Sequence, residues 1–330
     1  MIGSANGTRI GITGLGVNVP ERVLTNDDLT RYVDTSDEWI LERTGIRERR
    51  VAEQHEALTD IALPAAREAL DNAGVSGSEI DLLISATVTP DMMFPTSSAL
   101  MADALGAHDA AAYDLLAGCT GFVYAIAQAY GMLAAGLSRR SLVVGGDVLS
   151  KILDWDDRST LVLFGDGAGA VVMEPVPRGG FLGFELGADG AGGEHLQLPG
   201  SGSRHFADPD AMLKMNGREV FKFATRVMVS SAEAVLAQCG RTVDDVDVYV
   251  PHQANKRIID YAVTKLGISP ERTVVNVDRF GNTSSGSIPL ALADAREDGR
   301  LRDGAFVLMT GMGAGLTWGS ALIEWTERRS

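Results

Sequence analysis

Residues 58–87 read LTDIALPAAREALDNAGVSGSEIDLLISAT, a helical run from Leu58 to Ala73 that closes at Gly74 and leads into the strand Asp81-Leu82-Leu83-Ile84-Ser85-Ala86-Thr87. A helix feeding a strand through a glycine is the repeating unit of α/β architecture. The unit recurs. Val220 to Gln238 reads as a helix, closes at Gly240 and leads into Asp247-Val248-Tyr249-Val250. Glu79-Ile80-Asp81 is echoed by Asp245-Val246-Asp247, and glycine to aspartate is the same step in both (81 − 74 = 7; 247 − 240 = 7). Further markers follow. Gly165-Asp166-Gly167-Ala168-Gly169 precedes the strand Ala170–Met173, and Gly311-Met312-Gly313-Ala314-Gly315 precedes strand-like Leu316–Trp318 and Ala321–Ile323. Asp114 to Cys119 and Asp278 to Asn282 both read as a strand end passing through glycine into a helix start. No period of 20 to 50 residues appears, which excludes a solenoid. The pattern predicts a duplication of one α/β half, with residues 1–175 carrying Cys119 and residues 176–330 carrying His252 and Asn282. It also predicts that Cys119 and Asn282 hold equivalent places near a pseudo-twofold axis, a common location for a site between related halves.

Composition narrows the chemistry. The 330 residues contain 29 Lys and Arg against 44 Asp and Glu, a net charge of −15, which argues against nonspecific nucleic-acid binding. Two cysteines, Cys119 and Cys239, make no disulfide framework. The five histidines show no paired zinc-ligand spacing. The N-terminus has no basic segment followed by an apolar run, so no signal peptide is expected and the location reads as cytoplasmic. Leu115 to Ser138 carries no charge and has the length of a membrane span. Its glycines, Cys119 and Gln128 favour a helix buried on all sides. The 165–169 glycine run is followed by a strand, whereas a dinucleotide fingerprint needs a helix there.

Cys119 lies in Ala117-Gly118-Cys119-Thr120-Gly121, between a strand-like segment and the apolar helix. Cysteine is commonly an inert buried hydrophobe, but a helix N-terminus favours a thiolate. His252, in Pro251-His252-Gln253-Ala254-Asn255, follows a strand, where site residues of α/β sheets gather. Asn282 follows a glycine and taken alone is an ordinary turn residue. Arg218, Lys222 and Arg226 recur at i, i+4 and i+8, and Lys256, Arg257 and Lys265 begin a second cationic patch. In so acidic a chain these clustered cations suit an acidic partner, against the simpler reading of a solvated face.

Four motifs, Ala117–Gly121, Pro251–Asn255, Gly281–Ser285 and Gly313–Gly319, together resemble β-ketoacyl-acyl-carrier-protein synthase III. That is the condensing enzyme that starts type II fatty-acid synthesis. The likeness extends from Thr35–Ile40 and Arg43–Arg47 to the C-terminal strand. It implies the thiolase fold, two similar α/β halves layered αβαβα, in a homodimer. Cys119 would carry a starter acyl group taken from acyl-CoA. His252 and Asn282 would donate hydrogen bonds to the thioester oxygen of malonyl-acyl-carrier protein as carbon dioxide departs. The N–H groups of Cys119 and Ala314 would form the oxyanion hole. Trp39, Arg43 and Arg158 resemble the residues that hold the CoA nucleotide. Met215, Gly217, Phe221 and Asn255 resemble the pantetheine lining, and Phe94 a residue limiting the acyl pocket across the dimer interface. No permanently bound cofactor or metal is implied. A thiolase is disfavoured because Gly311–Gly315 lacks a second cysteine, and elongating synthases because Asn282 replaces their second histidine. The remaining alternatives are a starter-unit enzyme or acyltransferase of polyketide metabolism and a non-catalytic dimeric scaffold.

Overall fold

The structure, a computed structural model, describes residues 7–205 and 212–326. The chain opens with β1 (Arg9–Asn18) and the short pair β2 (Val23–Thr25) and β3 (Glu48–Arg50), which enclose α1 (Asn26–Leu29) and α2 (Asp37–Thr44). Then follow α3 (Leu58–Ala73), β4 (Leu82–Ala86), α4 (Ser97–Leu105), β5 (Ala111–Leu115), α5 (Gly121–Ala134), β6 (Ser141–Asp147), α6 (Arg158–Leu161) and β7 (Gly167–Val176). The second stretch runs through β8 (Gly180–Ala188), β9 (Leu196–Gln197), β10 (Lys214–Met215), α7 (Gly217–Gln238), β11 (Val248–Pro251) and α8 (Lys256–Leu266). It ends with α9 (Val277–Phe280), α10 (Ser287–Glu297), β12 (Phe306–Gly313) and β13 (Thr317–Glu324).

The helix over 58–73 forms as its sequence dictates. Leu58, Ile61, Ala62, Ala65, Ala66, Ala69, Leu70 and Ala73 are buried at helical spacing, and Gly74 ends the helix at φ 61°. The two large sheets share one design. The first has the order β1-β7-β6-β4-β5, antiparallel across its first two pairs and parallel across the last two. The second has β8-β13-β12-β11, with the same directions, and a parallel bridge from Tyr249 to Thr273 stands where a fifth strand would pair.

Strand periodicity reveals the layers. In β4, Leu82 and Ile84 face the central core with α5, while Leu83 faces α3 and α4. In β12, Val307 and Met309 join that same central core, while Leu308 faces α7 and α8. Both sheets are covered on both faces, giving the αβαβα thiolase fold with α5 and α10 in the middle layer. The uncharged segment 115–138 therefore supplies α5, and no helix among the described residues is long and apolar enough to cross a membrane. The 165–169 glycines lead into and open β7. A Cβ on Gly169 would stand 2.6 Å from the Pro289 side chain of α10, so the run admits a helix rather than a phosphate.

Two expectations need correction. Asp278 lies inside α9, not at a strand end. Cys119 lies in a 3₁₀ turn (Gly118–Thr120) directly before α5, and the matching turn before α10 is Ser284–Gly286, so Ser285 is its counterpart. Asn282 comes earlier, where the chain leaves the helical path to bridge Phe164.

Candidate active site

Two backbone segments meet at Cys119. The Thr317 hydroxyl donates to Ala117 O at 2.9 Å and lies 3.1 Å from the Thr120 hydroxyl, joining the turn to the start of β13. Gly118 has φ 58°, and a Cβ there would stand 2.6 Å from Ala314 N. A Cβ on Gly313 would collide with Cys119 N. Only glycine at both positions permits the approach, which brings the two expected oxyanion-hole segments, at Cys119 and Ala314, face to face.

His252 extends the end of β11. Its N–H donates to Thr310 O at 2.7 Å, and its Nδ1 lies 2.6 Å from the Ser287 hydroxyl at the start of α10. Nε2 is buried without a hydrogen-bond partner. Asn282 is held by its own backbone, with N–H to Leu163 O at 2.8 Å and O accepting from Gly165 N at 3.0 Å. The Ser284 N–H donates to Asn282 Oδ1 at 2.9 Å, so the amide's donor side is left for the cavity. Ser284 achieves this at φ 50°, a strained conformation for a residue with a Cβ.

Cys119, His252 and Asn282 line one cavity of about 220 Å³. Trp39, Arg43, Met215, Gly217, Phe221 and Asn255 line it too, towards the surface. Asn255 caps α8 through Arg257 N at 2.9 Å and donates to Arg43 O at 3.1 Å. Arg158 does not line the cavity, but its guanidinium lies 4.6 Å from the Trp39 ring, and that of Arg43 lies 4.4 Å away. Phe94 stands apart from the cavity, 80% exposed beside exposed Met92 and Met93.

The six cations Arg218, Lys222, Arg226, Lys256, Arg257 and Lys265 are all exposed on α7 and α8. Two are partly neutralised: Lys222 pairs with Glu219 and Lys256 with Asp260, each at 2.7 Å. Arg257 and Lys265 flank a shallow depression that shares Phe221 with the cavity.

Burial dominates the electrostatics of the site. Burial pushes the Cys119 thiol up to about 12, the Asp147 charge adds to this, and the Ser284 hydroxyl pulls the other way. Burial outweighs the helix start in this balance, and its direction favours the thiol form. Its alkylation by iodoacetamide is expected to rise about tenfold per pH unit from pH 7 to 9. A plateau near pH 8 would show a preformed thiolate instead. Burial also lowers His252 to about 3, which keeps the imidazole neutral.

The sequence reading passed over Val162, Phe164, Leu196, Ala254 and Met312, which also line the cavity, because isolated apolar residues carry no signal of a site. It also passed over Ser287, two residues beyond the Gly281–Ser285 motif. Cys239 lies at the end of α7 against Gly183, outside the cavity. Among the described residues no group of three or more His, Cys, Asp or Glu could hold a metal ion.

Comparison with known proteins gives a consistent result. Residues 113–190 match the family described as 3-Oxoacyl-[acyl-carrier-protein (ACP)] synthase III, and residues 236–325 match its C-terminal counterpart. A β-ketoacyl-[acyl-carrier-protein] synthase III of Symbiobacterium thermophilum is 56% identical over 323 residues, covering 96% of this chain and 98% of that one. The crystal structure of the Thermus thermophilus synthase III superposes with a TM-score of 0.91 at 50% identity, covering 96% of this chain and all of that one. The priming β-ketosynthase of the R1128 polyketide pathway also superposes at 0.91, with 38% identity over 99% of both chains.

Proposed function

The chain belongs to the 3-oxoacyl-[acyl-carrier-protein] synthase III family, and from that premise we propose that it joins a short acyl-CoA starter to malonyl-acyl-carrier protein, initiating fatty-acid synthesis. The observation that carries this reading is the single cavity that unites a buried thiol, an unpartnered imidazole nitrogen and an amide at one end with Trp39 and Arg43 at the other.

In the first half-reaction Cys119 Sγ attacks the acyl-CoA carbonyl. The oxyanion is met by the N–H groups of Cys119 and Ala314, the C–S bond to CoA breaks, and the thiol proton leaves with the CoA sulfur. In the second, the malonyl C–CO₂ bond breaks and its electrons form an enolate, whose oxygen accepts hydrogen bonds from His252 Nε2 and Asn282 Nδ2. The enolate carbon attacks the acyl-cysteine carbonyl, a C–C bond forms, and Cys119 leaves as a thiolate that regains a proton. No resident cofactor is invoked.

Trp39, Arg43 and Arg158 offer the aromatic face and cations that suit an adenine and phosphates. Met215, Gly217, Phe221 and Asn255 would flank the pantetheine arm. The cations of α7 and α8 would receive the acidic carrier protein, a reading supported by the depression beside Arg257 and Lys265 that shares Phe221 with the cavity. The exposed run Met92, Met93 and Phe94 and exposed Leu116 support a homodimer in which Phe94 limits the partner's acyl pocket. The two sheets of like order support a division into halves 1–175 and 176–330, with the changeover at the end of β7. The reaction belongs in the cytoplasm, where its substrates circulate.

Incubation with labelled acetyl-CoA or isobutyryl-CoA and malonyl-carrier protein is expected to yield labelled 3-oxoacyl-carrier protein. No such product from any starter would sink the proposal. A priming role in polyketide synthesis is the second reading, supported by the 38% relative but less than the fatty-acid reading by relatives at 56% and 50%.

A further inference from the structure

We propose that Ser287 is a positioning residue that fixes the tautomer of His252, holding the imidazole proton on Nε2. The inference rests on the condensing role given to His252. Ser287 is the first residue of α10 and is buried, as is His252. Its hydroxyl lies 2.6 Å from His252 Nδ1 and accepts from Gln253 N–H at 3.4 Å.

A neutral imidazole carries one proton, and the contact at Nδ1 decides where. If Nδ1 bore it, Nδ1–H would donate to the Ser287 oxygen, and the hydroxyl proton would be left buried with no acceptor among the described residues. If the hydroxyl donates to Nδ1, its proton is satisfied, its oxygen still accepts from Gln253, and the ring proton must lie on Nε2. The second arrangement pairs every group except Nε2 itself, which is the atom without a partner. His252 lines the cavity with Cys119 and Asn282, so this unpaired N–H is the donor that an enolate oxygen requires. The burial that keeps the ring neutral makes the choice of tautomer matter, since an imidazolium would donate from both nitrogens.

Ser287→Ala removes the proton donor at Nδ1 and leaves the cavity lining untouched. Acylation of Cys119 from labelled acetyl-CoA is expected to stay within about threefold of wild type, while kcat for condensation falls roughly 10- to 100-fold. Ser287→Thr, which keeps the hydroxyl, is expected to recover most of the loss. The direct readout is nitrogen NMR on the full chain labelled at its histidines, with the His252 signals identified by their loss in His252→Ala. Wild type should show the Nε2–H tautomer, and Ser287→Ala a mixture or the Nδ1–H form. A wild-type Nδ1–H tautomer, or an unchanged tautomer in Ser287→Ala, overturns the proposal. So does an equal fall in acylation and condensation, which would mark a merely structural role. The NMR result does not depend on turnover, so a wild-type chain that condenses nothing refutes the functional reading while leaving the tautomer decided.

Discussion

Cys119→Ala is expected to eliminate the acyl-enzyme and to lower condensation at least about 10³-fold, because the substitution removes the one thiol that lines the cavity among the described residues and leaves its walls intact. Cys239 cannot substitute, lying at the far end of α7. The same variant separates the two half-reactions. His252 and Asn282 remain in place, so malonyl-carrier protein is still expected to be decarboxylated, releasing acetyl-carrier protein. Labelled acetyl-CoA followed by gel filtration of the denatured protein reads the first effect, and carbon dioxide release reads the second. Radiolabel retained by Cys119→Ala at wild-type stoichiometry would remove Cys119 from its role.

His252→Ala produces the complementary defect. Acyl-Cys119 is expected to form at close to the wild-type rate, while condensation is expected to drop about 10²- to 10³-fold through loss of one donor to the enolate oxygen. A matched fall in acylation would instead make His252 the base for the thiol. The pH profile adds a second check. Burial holds His252 near 3 in the folded chain, whereas an unfolded chain takes up that proton near 6.5. The unfolded state therefore binds more protons between these values, and stability declines as pH falls below about 6.5. Condensation itself should show no ionisation of this ring between pH 5 and 8.

Much of this was legible in the sequence because it is periodic or local. The helix over 58–73 was bounded correctly by its apolar spacing and by Gly74. The sequence pattern starts the echoed helix at Val220, but it begins at Gly217, because Asn216 accepts from Glu219 N–H and caps it earlier. Counting residues matches Asn282 to Cys119, but counting cannot see that the Asn282 backbone is pinned to the Leu163–Gly165 segment. The upward shift of the Cys119 thiol is not legible in the sequence for a related reason. A helix start is visible in sequence, but the burial that opposes it comes in part from chain far away, such as Gly313, which packs against the Cys119 backbone. Ser287 escaped notice because one hydroxyl among several serines has no pattern until its partner nitrogen is located.

The central position of α5 also governs how the chain comes into being. Its apolar residues contact β4 and β6 on one side and β12 and β13 on the other. The first set precedes or closely follows it during synthesis, but the second ends 190 residues later (324 − 134), so at ribosomal speeds the wait is on the order of 10 to 40 s. For that interval the emerging half-chain holds out an uncharged helix with one side uncovered. During that interval the uncovered apolar face is open to aggregation, whatever the stability of the finished fold.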